Sequence, residues 1–434
     1  MTTRLLHTPN FRWLWLGQGV SQLGAQFTML ALPVLAVSLL GATEWQIGAL
    51  NAAETAAFLI VGLPAGAWVD RLLKRRTTIA ADLVRVVALG SVPVLWFAGS
   101  LEMWHLYIVG AIVGVATVFF DVSYQSYIPI LLPGEQIGDA NSKLEATAQV
   151  ARIGGPGLAG ALLTIVSAPV LLIADAVSYL VSAVAIWRIA DTEPPVDTSQ
   201  RESLPKEIAE GVRFVFAHRL LRAIVGTTAT SNLFSTIAFT LAPILILREL
   251  DLGPVGLGVA MSAGAVGGLV GAVTTPWVTR LIGEGTAIVV SAIVGSIAIA
   301  SLPLAAVFPA IALPILAVGE FITLYAVLVY NITQVTMRQR LCPPRLLGRM
   351  NASIRFVVWG VMPIASLIAG ALGTVLGLLP TLWIAVVGGL FSFSFVLFSP
   401  LTTMRTLPRE LVAEGHPHPQ PTPDAGDIET AARD

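Results

Sequence analysis

The feature that most constrains this chain is the recurrence of long apolar runs with almost no charge inside them. A helix that crosses the roughly 30 Å hydrocarbon core of a bilayer needs about 20 mostly apolar residues. Twelve windows have that character: 13–39, 46–69, 78–99, 104–128, 143–166, 170–189, 223–247, 255–278, 287–306, 309–334, 352–376 and 381–399. Pro33, Pro64, Pro156, Pro243, Pro314 and Pro363 fall inside them. Membrane helices tolerate proline and glycine because neighbouring helices satisfy the freed backbone groups. Only 12% of the 434 residues are charged, against about 25% in soluble domains, so a soluble fold would lack polar surface. The expectation is an all-α integral membrane protein with twelve transmembrane helices, multi-pass and embedded in the lipid bilayer.

The remaining composition excludes several classes. A net charge of −1 gives no basic field for nucleic acid. The single cysteine, Cys342, rules out an internal disulfide, and five scattered or tail histidines give no metal cluster. No metal or other cofactor is expected, and no nucleophile–histidine–acid set lies within the spans, so an enzyme is not expected. The start, "MTTRLLHTPNFRWLW", lacks a cleavable leader pattern and runs straight into the first apolar window.

Lysine and arginine set the orientation. If the N-terminus is inside, the loops after spans 2, 4, 6, 8 and 10 are inside too, and they hold the Arg71, Lys74, Arg75, Arg76 cluster, Arg338 and Arg340. The opposite loops hold Arg248 and no other basic residue. Both termini are therefore expected in the cytoplasm. Residues 190–222 form the longest loop. Its first half, "DTEPPVDTSQRESLP", has linker composition. Its second half places Ile208, Val212, Val215 and Phe216 on one helical face, fitting either an interfacial helix or a solvated linker helix. The tail, 400–434, is Pro-rich and polar and is expected to be disordered.

The chain also repeats itself. "AGAWVDRLLKRRTT" (65–78) has a counterpart in "TPWVTRLIGEGTAI" (275–288), with Trp68, Val69, Arg71 and Leu72 matching Trp277, Val278, Arg280 and Leu281. Ser21, Leu23, Pro33 and Leu35 meet Ser231, Leu233, Pro243 and Leu245 at an offset of 210, and Pro133, Gly138 and Asn141 meet Pro343, Gly348 and Asn351. A nearly common offset, 209 in the first of these regions and 210 in the other two, predicts two parallel six-helix repeats. The bundles are expected at 1–189 and 223–399, joined by the 190–222 linker, with a substrate site between them near mid-membrane.

These motifs carry a resemblance. Gly66, Trp68, Val69, Asp70, Arg71, Lys74 and Arg75 resemble the loop signature between the second and third helices of the major facilitator superfamily, departing from it at Trp68 and Leu73. "FRWLWLGQGVSQLG", "ADLVR", "FFDVSYQSYIPILLPGEQIGDANS", "ADAVSYL" and "EGVRFVFAHRLLR" resemble its macrolide-efflux and siderophore-export branch. "ARIGGPGLAG", with Gly154, Gly155, Pro156 and Gly160, resembles incompletely the antiporter motif of the fifth helix. The resemblance implies a monomeric drug:proton antiporter of the plasma membrane, exporting an amphipathic small molecule such as a drug, macrolide, siderophore or other natural product.

An ionisable residue inside a bilayer is costly and so is a functional candidate. Glu320 in span 10 and Glu54 in span 2 are the proton-coupling candidates, and structural hydrogen bonding is the competing role for each. Arg152, Gln149 and Glu145 share one face of span 5, and Asp121 or Glu145 is a candidate partner for Arg152. With Asp121 and Asp175 they form a candidate buried charge network. Asp82 and Arg85 near the start of span 3, with Asp70 and Arg71, are a candidate cytoplasmic latch or a simple topology signal. Tryptophans near span ends, such as Trp45 and Trp104, read as interfacial anchors. Proton-independent uniport, lipid movement between leaflets and a non-transport sensor or enzyme on the same frame are the alternatives to proton-driven export.

Overall fold

The computed structural model describes residues 8–190, 193, 213, 215–342 and 347–404, with backbone only at Gly66, Ala67, Asp70 and a few other helical positions. The candidate interfacial helix of the linker, apart from a few residues at its end, and the tail beyond Met404 lie outside the described residues. All regular structure among those described is helical.

In chain order the α-helices are α1 (Pro9–Val34), α2 (Glu44–Ile60), α3 (Gly62–Asp70), α4 (Lys74–Phe97), α5 (Met103–Leu131), α6 (Gly134–Leu162) and α7 (Ala168–Trp187). They continue as α8 (Arg219–Ile244), α9 (Gly253–Ile282), α10 (Glu284–Ala298), α11 (Ser301–Val307), α12 (Ala312–Leu341), α13 (Leu347–Leu376), α14 (Leu378–Leu390) and α15 (Ser394–Leu397). Ten helical runs among the described residues are long and apolar enough to cross a membrane. The expected windows at 46–69 and 143–166 do not meet that measure. The first is broken at Val61, whose φ of −112° and ψ of −8° interrupt the run. Pro64 follows, and its ring clashes with the carbonyl four residues back, at Ile60. The second, α6, carries Asp139, Lys143, Glu145 and Arg152.

The 210-residue register is visible in the helix ends. α1 closes in a π turn at Leu35–Leu39, and α8 closes in one at Leu245–Glu249. Each π turn follows a proline by two residues, Pro33 or Pro243. The run Lys74–Phe97 recurs as Glu284–Val307, interrupted at Ile299–Ala300 although both copies carry a proline at the matching place, Pro93 and Pro303. The N-terminus of α4 is held by the Glu193 carboxylate, which accepts from the backbone N–H of Lys74 at 2.6 Å and of Arg75 at 3.2 Å. At the matching place in the second copy, the Gly285 N–H donates to the Met404 carbonyl at 3.2 Å. In both copies the chain returning after the last long helix satisfies donors that a helix start leaves open.

Thr8 and Met404 lie at one end of the bundle, the terminal face, and the α1–α2 connection lies at the other, the distal face. The core divides accordingly. One large cluster joins Leu30, Leu35, Leu106 and Leu172 of the first half to Leu241, Leu245, Leu302 and Leu382 of the second. Toward the terminal face the clusters separate. Phe11, Leu14, Tyr127 and Ile186 belong to the first half alone, and Leu220, Ile288, Met337 and Leu401 to the second. The outside is apolar, with Val87, Val94, Ile165, Val273 and Val375 exposed, as a hydrocarbon surround requires.

Candidate functional site

Two seams join the halves, and glycine makes both possible. In the first, α2 lies on α13. A methyl group on Gly48 would fall 2.5 Å from the Ser366 carbonyl oxygen, and one on Gly370 would fall 3.0 Å from Trp45 Cα. Ser366 donates to the Asn51 side-chain oxygen at 2.8 Å, and the Phe58 and Trp359 rings meet edge to face at 4.9 Å. In the second, α6 lies on α9. A methyl on Gly160 would fall 2.7 Å from the Pro254 carbonyl, and one on Gly258 would fall 2.5 Å from that of Pro156. The Gly157 N–H donates to Ser262 at 2.9 Å. At the distal face the Arg248 guanidinium donates to the Ala42 carbonyl at 2.7 Å, tying the two π-turn loops together. Gly258 faces α6 across this seam, whereas Gly264, Gly267, Gly268 and Gly271 face α12 of the same half, a small-residue spacing for close helix approach that sequence reasoning did not use.

Below these contacts the halves part. Glu145, Gln149, Arg152, Pro156 and Gly160 lie on one face of α6, at spacings of three and four. Pro156 and Gly160 touch α9. Glu145 and Arg152, nearer the terminal face, are exposed. The Gln149 amide donates to Glu145 at 2.7 Å, and Arg152 has no ion pair among the described residues. The expected Arg152 pairing with Asp121 or Glu145 is therefore not formed in this conformation. Its side chain is exposed one turn below the Pro156–Gly258 contact.

The other members of the expected network divide by depth. Asp121 on α5 is exposed, within electrostatic reach of Arg85 and of Arg355 on α13. Asp175 on α7 is fully buried, accepting from Thr28 on α1 and from Ser178 at 2.9 Å. Asp82 and Arg85 do not line the loop between α3 and α4. They sit more than two turns inside α4, 0% and 4% exposed, paired at 2.9 Å. The Arg85 guanidinium is clamped between the rings of Phe120 at 4.2 Å and Tyr179 at 4.3 Å. This cluster fastens α4, α5 and α7 to one another within the first half. Arg75 does likewise, donating to the Ile186 carbonyl at 3.3 Å and to that of Trp187. Arg71 is exposed, and Gly66 and Asp70 are described by backbone only. In the α6 glycine motif, Gly155 packs on Gln26 of α1, whereas Gly154 faces open space.

Glu54 and Glu320 remain. Both are half-buried, and neither has a hydrogen bond or ion pair among the described residues. Glu54 lies ten residues into α2, about 15 Å from its distal end, and Glu320 eight residues into α12, about 12 Å, so both approach mid-membrane depth. Glu54 rests on Gly110 and Gly114 of α5, and Glu320 on Gly264 of α9. The site is thus a pair of carboxylates, unpartnered among the described residues, each set against a glycine of a neighbouring helix, in a bundle whose halves share a core toward the distal face and have separate cores toward the terminal face.

A family model described as Major Facilitator Superfamily matches residues 14–366. Among curated proteins the chain is 26% identical over 336 residues to the multidrug efflux pump Tap of Mycolicibacterium fortuitum, covering 75% of this chain and 80% of that one. It is 25% identical over 225 residues to macrolide efflux protein A of Streptococcus pyogenes, covering 50% of this chain and 54% of that one. Among solved structures, a mutant of the nucleoside transporter NupG aligns with a TM-score of 0.73 at 12% identity, covering 89% of this chain and 99% of that one.

Proposed function

The chain belongs to the Major Facilitator Superfamily, and from that membership we propose that it is a secondary active efflux transporter that exports an amphipathic small molecule by proton antiport and alternating access. It is a multi-pass membrane protein, and in this reading it sits in the plasma membrane as a monomer. Twelve spans form two six-helix bundles, at 1–189 and 223–399, with both termini cytoplasmic. The terminal face is then the cytoplasmic one, and the conformation described is open to the inside.

The observation that carries the reading is Glu320, an acid without a partner among the described residues, set against Gly264 in an apolar span. A bare charge there is disfavoured, so binding a proton or a cationic group stabilises the site. Export follows if the proton arrives while the distal face is open and leaves once the cleft faces inward. Rocking the halves apart at Gly48–Gly370 and Gly160–Pro254 opens the distal face. The similarity to the two efflux proteins supports drug-like substrates.

The test is flux of ethidium, a fluorescent cation, in liposomes carrying the purified chain. A proton gradient imposed opposite to export should drive accumulation, and Glu320→Gln should abolish it. Flux that survives collapse of the gradient removes antiport in favour of uniport. If ethidium is not carried, a compound panel in an efflux-deficient host identifies the substrate for the same assay.

A further inference from the structure

Glu54 and Glu320 have no acidic counterparts in the repeat, yet they are related by it in another way. The residue 210 positions after Glu54 is Gly264, and the residue 210 positions after Gly110 is Glu320. The structure brings these same residues together in pairs. A methyl on Gly110 would lie 3.0 Å from Glu54 Cγ, and one on Gly264 would lie 3.4 Å from Glu320 Oε2 and 3.5 Å from its Cβ. Each half therefore has one crevice between equivalent helices, α2 against α5 and α9 against α12. One wall supplies a carboxylate and the other a glycine that leaves room for it. The two halves place the carboxylate on opposite walls.

We propose that these crevices are two equivalent binding sites for a positive charge, one in each half. This deepens the reading of Glu54 and Glu320 as coupling acids and rests on it. The chemistry taken is a single positive charge, from a proton or from a protonated amine of the substrate.

The surroundings fit that use. Each helix pair confronts its acid with small residues where a packing role would be served by an apolar side chain. Among the described residues no cationic side chain pairs with either one. On α5 the phenol of Tyr107 lies within one turn of Gly110, His105 and the N-cap Glu102 lie about one and a half and two turns from it toward the distal end, and Asp121 lies two turns beyond Gly114. On α13 the nearest charge is Arg355, one turn beyond Trp359, and α8 carries Arg219 and Arg222 in its first turn at the terminal face, with Arg248 in the distal loop that follows it. Along α9 the nearest charge to Gly264 is Arg280, more than four turns away, and α10 carries only Glu284 at its terminal end, paired with Arg340 at 3.0 Å. The swap also explains why the repeat hides the pair. Selection for an acid in the crevice does not specify the wall that holds it.

The experiment counts titrating carboxyls in the full chain in nanodiscs by the pH dependence of the protonated C=O stretch in infrared difference spectra. Glu54→Gln and Glu320→Gln should each remove one of two such groups. Two relocated variants, Glu54→Gly with Gly110→Glu and Glu320→Gly with Gly264→Glu, move the carboxylate to the facing wall. Each should restore the group that its Glu→Gly change alone removes. Tetraphenylphosphonium, a permanent cation, should suppress both signals if substrate cations share the crevices, and neither if protons alone enter. Relocated variants that keep wild-type helicity and elution but lack the band overturn the proposal. If they do not fold, the near-isosteric Gln variants decide, and loss of signal from only one of them overturns it. Both bands intact with flux indifferent to a proton gradient would remove coupling while leaving two equivalent sites. Flux that depends on Glu320, with Glu54 silent in the spectra, would do the reverse.

Discussion

Replacing Gly48 by alanine should force the distal face toward opening. The added methyl would lie 2.5 Å from the Ser366 carbonyl oxygen, 2.8 Å from Gly370 Cα and 2.9 Å from Gly370 N. All three are backbone atoms, so no rotamer change relieves the clash. Ordinary contact begins near 3.4 Å, so α2 and α13 must part by roughly 1 Å, an overpacking that costs about 1–3 kcal/mol. The cost falls on the closed seam alone, because the clash disappears once the helices separate. A bias of about 1–3 kcal/mol moves a two-state equilibrium by roughly 5- to 150-fold. Nitroxide labels at Leu40→Cys and Leu250→Cys, on the loops joined by Arg248 and Ala42 and with Cys342→Ser, report the separation by pulsed electron resonance. The longer-distance population should grow in Gly48→Ala. It should not grow in Gly62→Ala, where nothing lies within 4 Å of the added methyl. An unchanged distribution in the first variant, or the same change in the second, would refute the argument.

Arg85→Met should destabilise the protein by about 3–5 kcal/mol, because it leaves Asp82 buried and uncompensated, and adding Asp82→Leu should recover much of that. Thermal unfolding in detergent tests it, and purely additive losses would contradict it. Glu193→Ala should fray the start of α4 by about 1 kcal/mol, seen as faster amide exchange at Lys74 and Arg75 and unchanged exchange deep in α4. Arg248→Ala should weaken distal closure by about 1 kcal/mol and lengthen the Leu40–Leu250 label distance less than Gly48→Ala does.

Much of this was readable because it is local. Apolar length alone placed α5, α7 and α9 within a few residues of their observed cores, and the offset matching Pro33 to Pro243 recurs as matched π turns. Reading failed where position along the chain does not give direction. Asp82 and Arg85 look close to the α3–α4 loop in sequence, yet two turns of helix carry them under Phe120 and Tyr179. Arg152 looked too deep to stand alone, but it is exposed and without an ion pair among the described residues. Comparing charges at the offset found no partner for Glu54 or Glu320, because the relation runs through the glycines they face.

By itself the sequence determined that the chain is a membrane-embedded, all-helical protein with an internal repeat. Backbone hydrogen bonds in hydrocarbon must be satisfied within each segment, so composition along twenty residues is enough to define a helix there. Tertiary structure alone decided which acids are paired and which are not, where glycine lets two halves touch, and at which end the halves share a core. Those outcomes depend on contacts such as Asn51 with Ser366, 315 residues apart. Such contacts follow from the rigid-body placement of whole helices, and no local run of sequence encodes that placement.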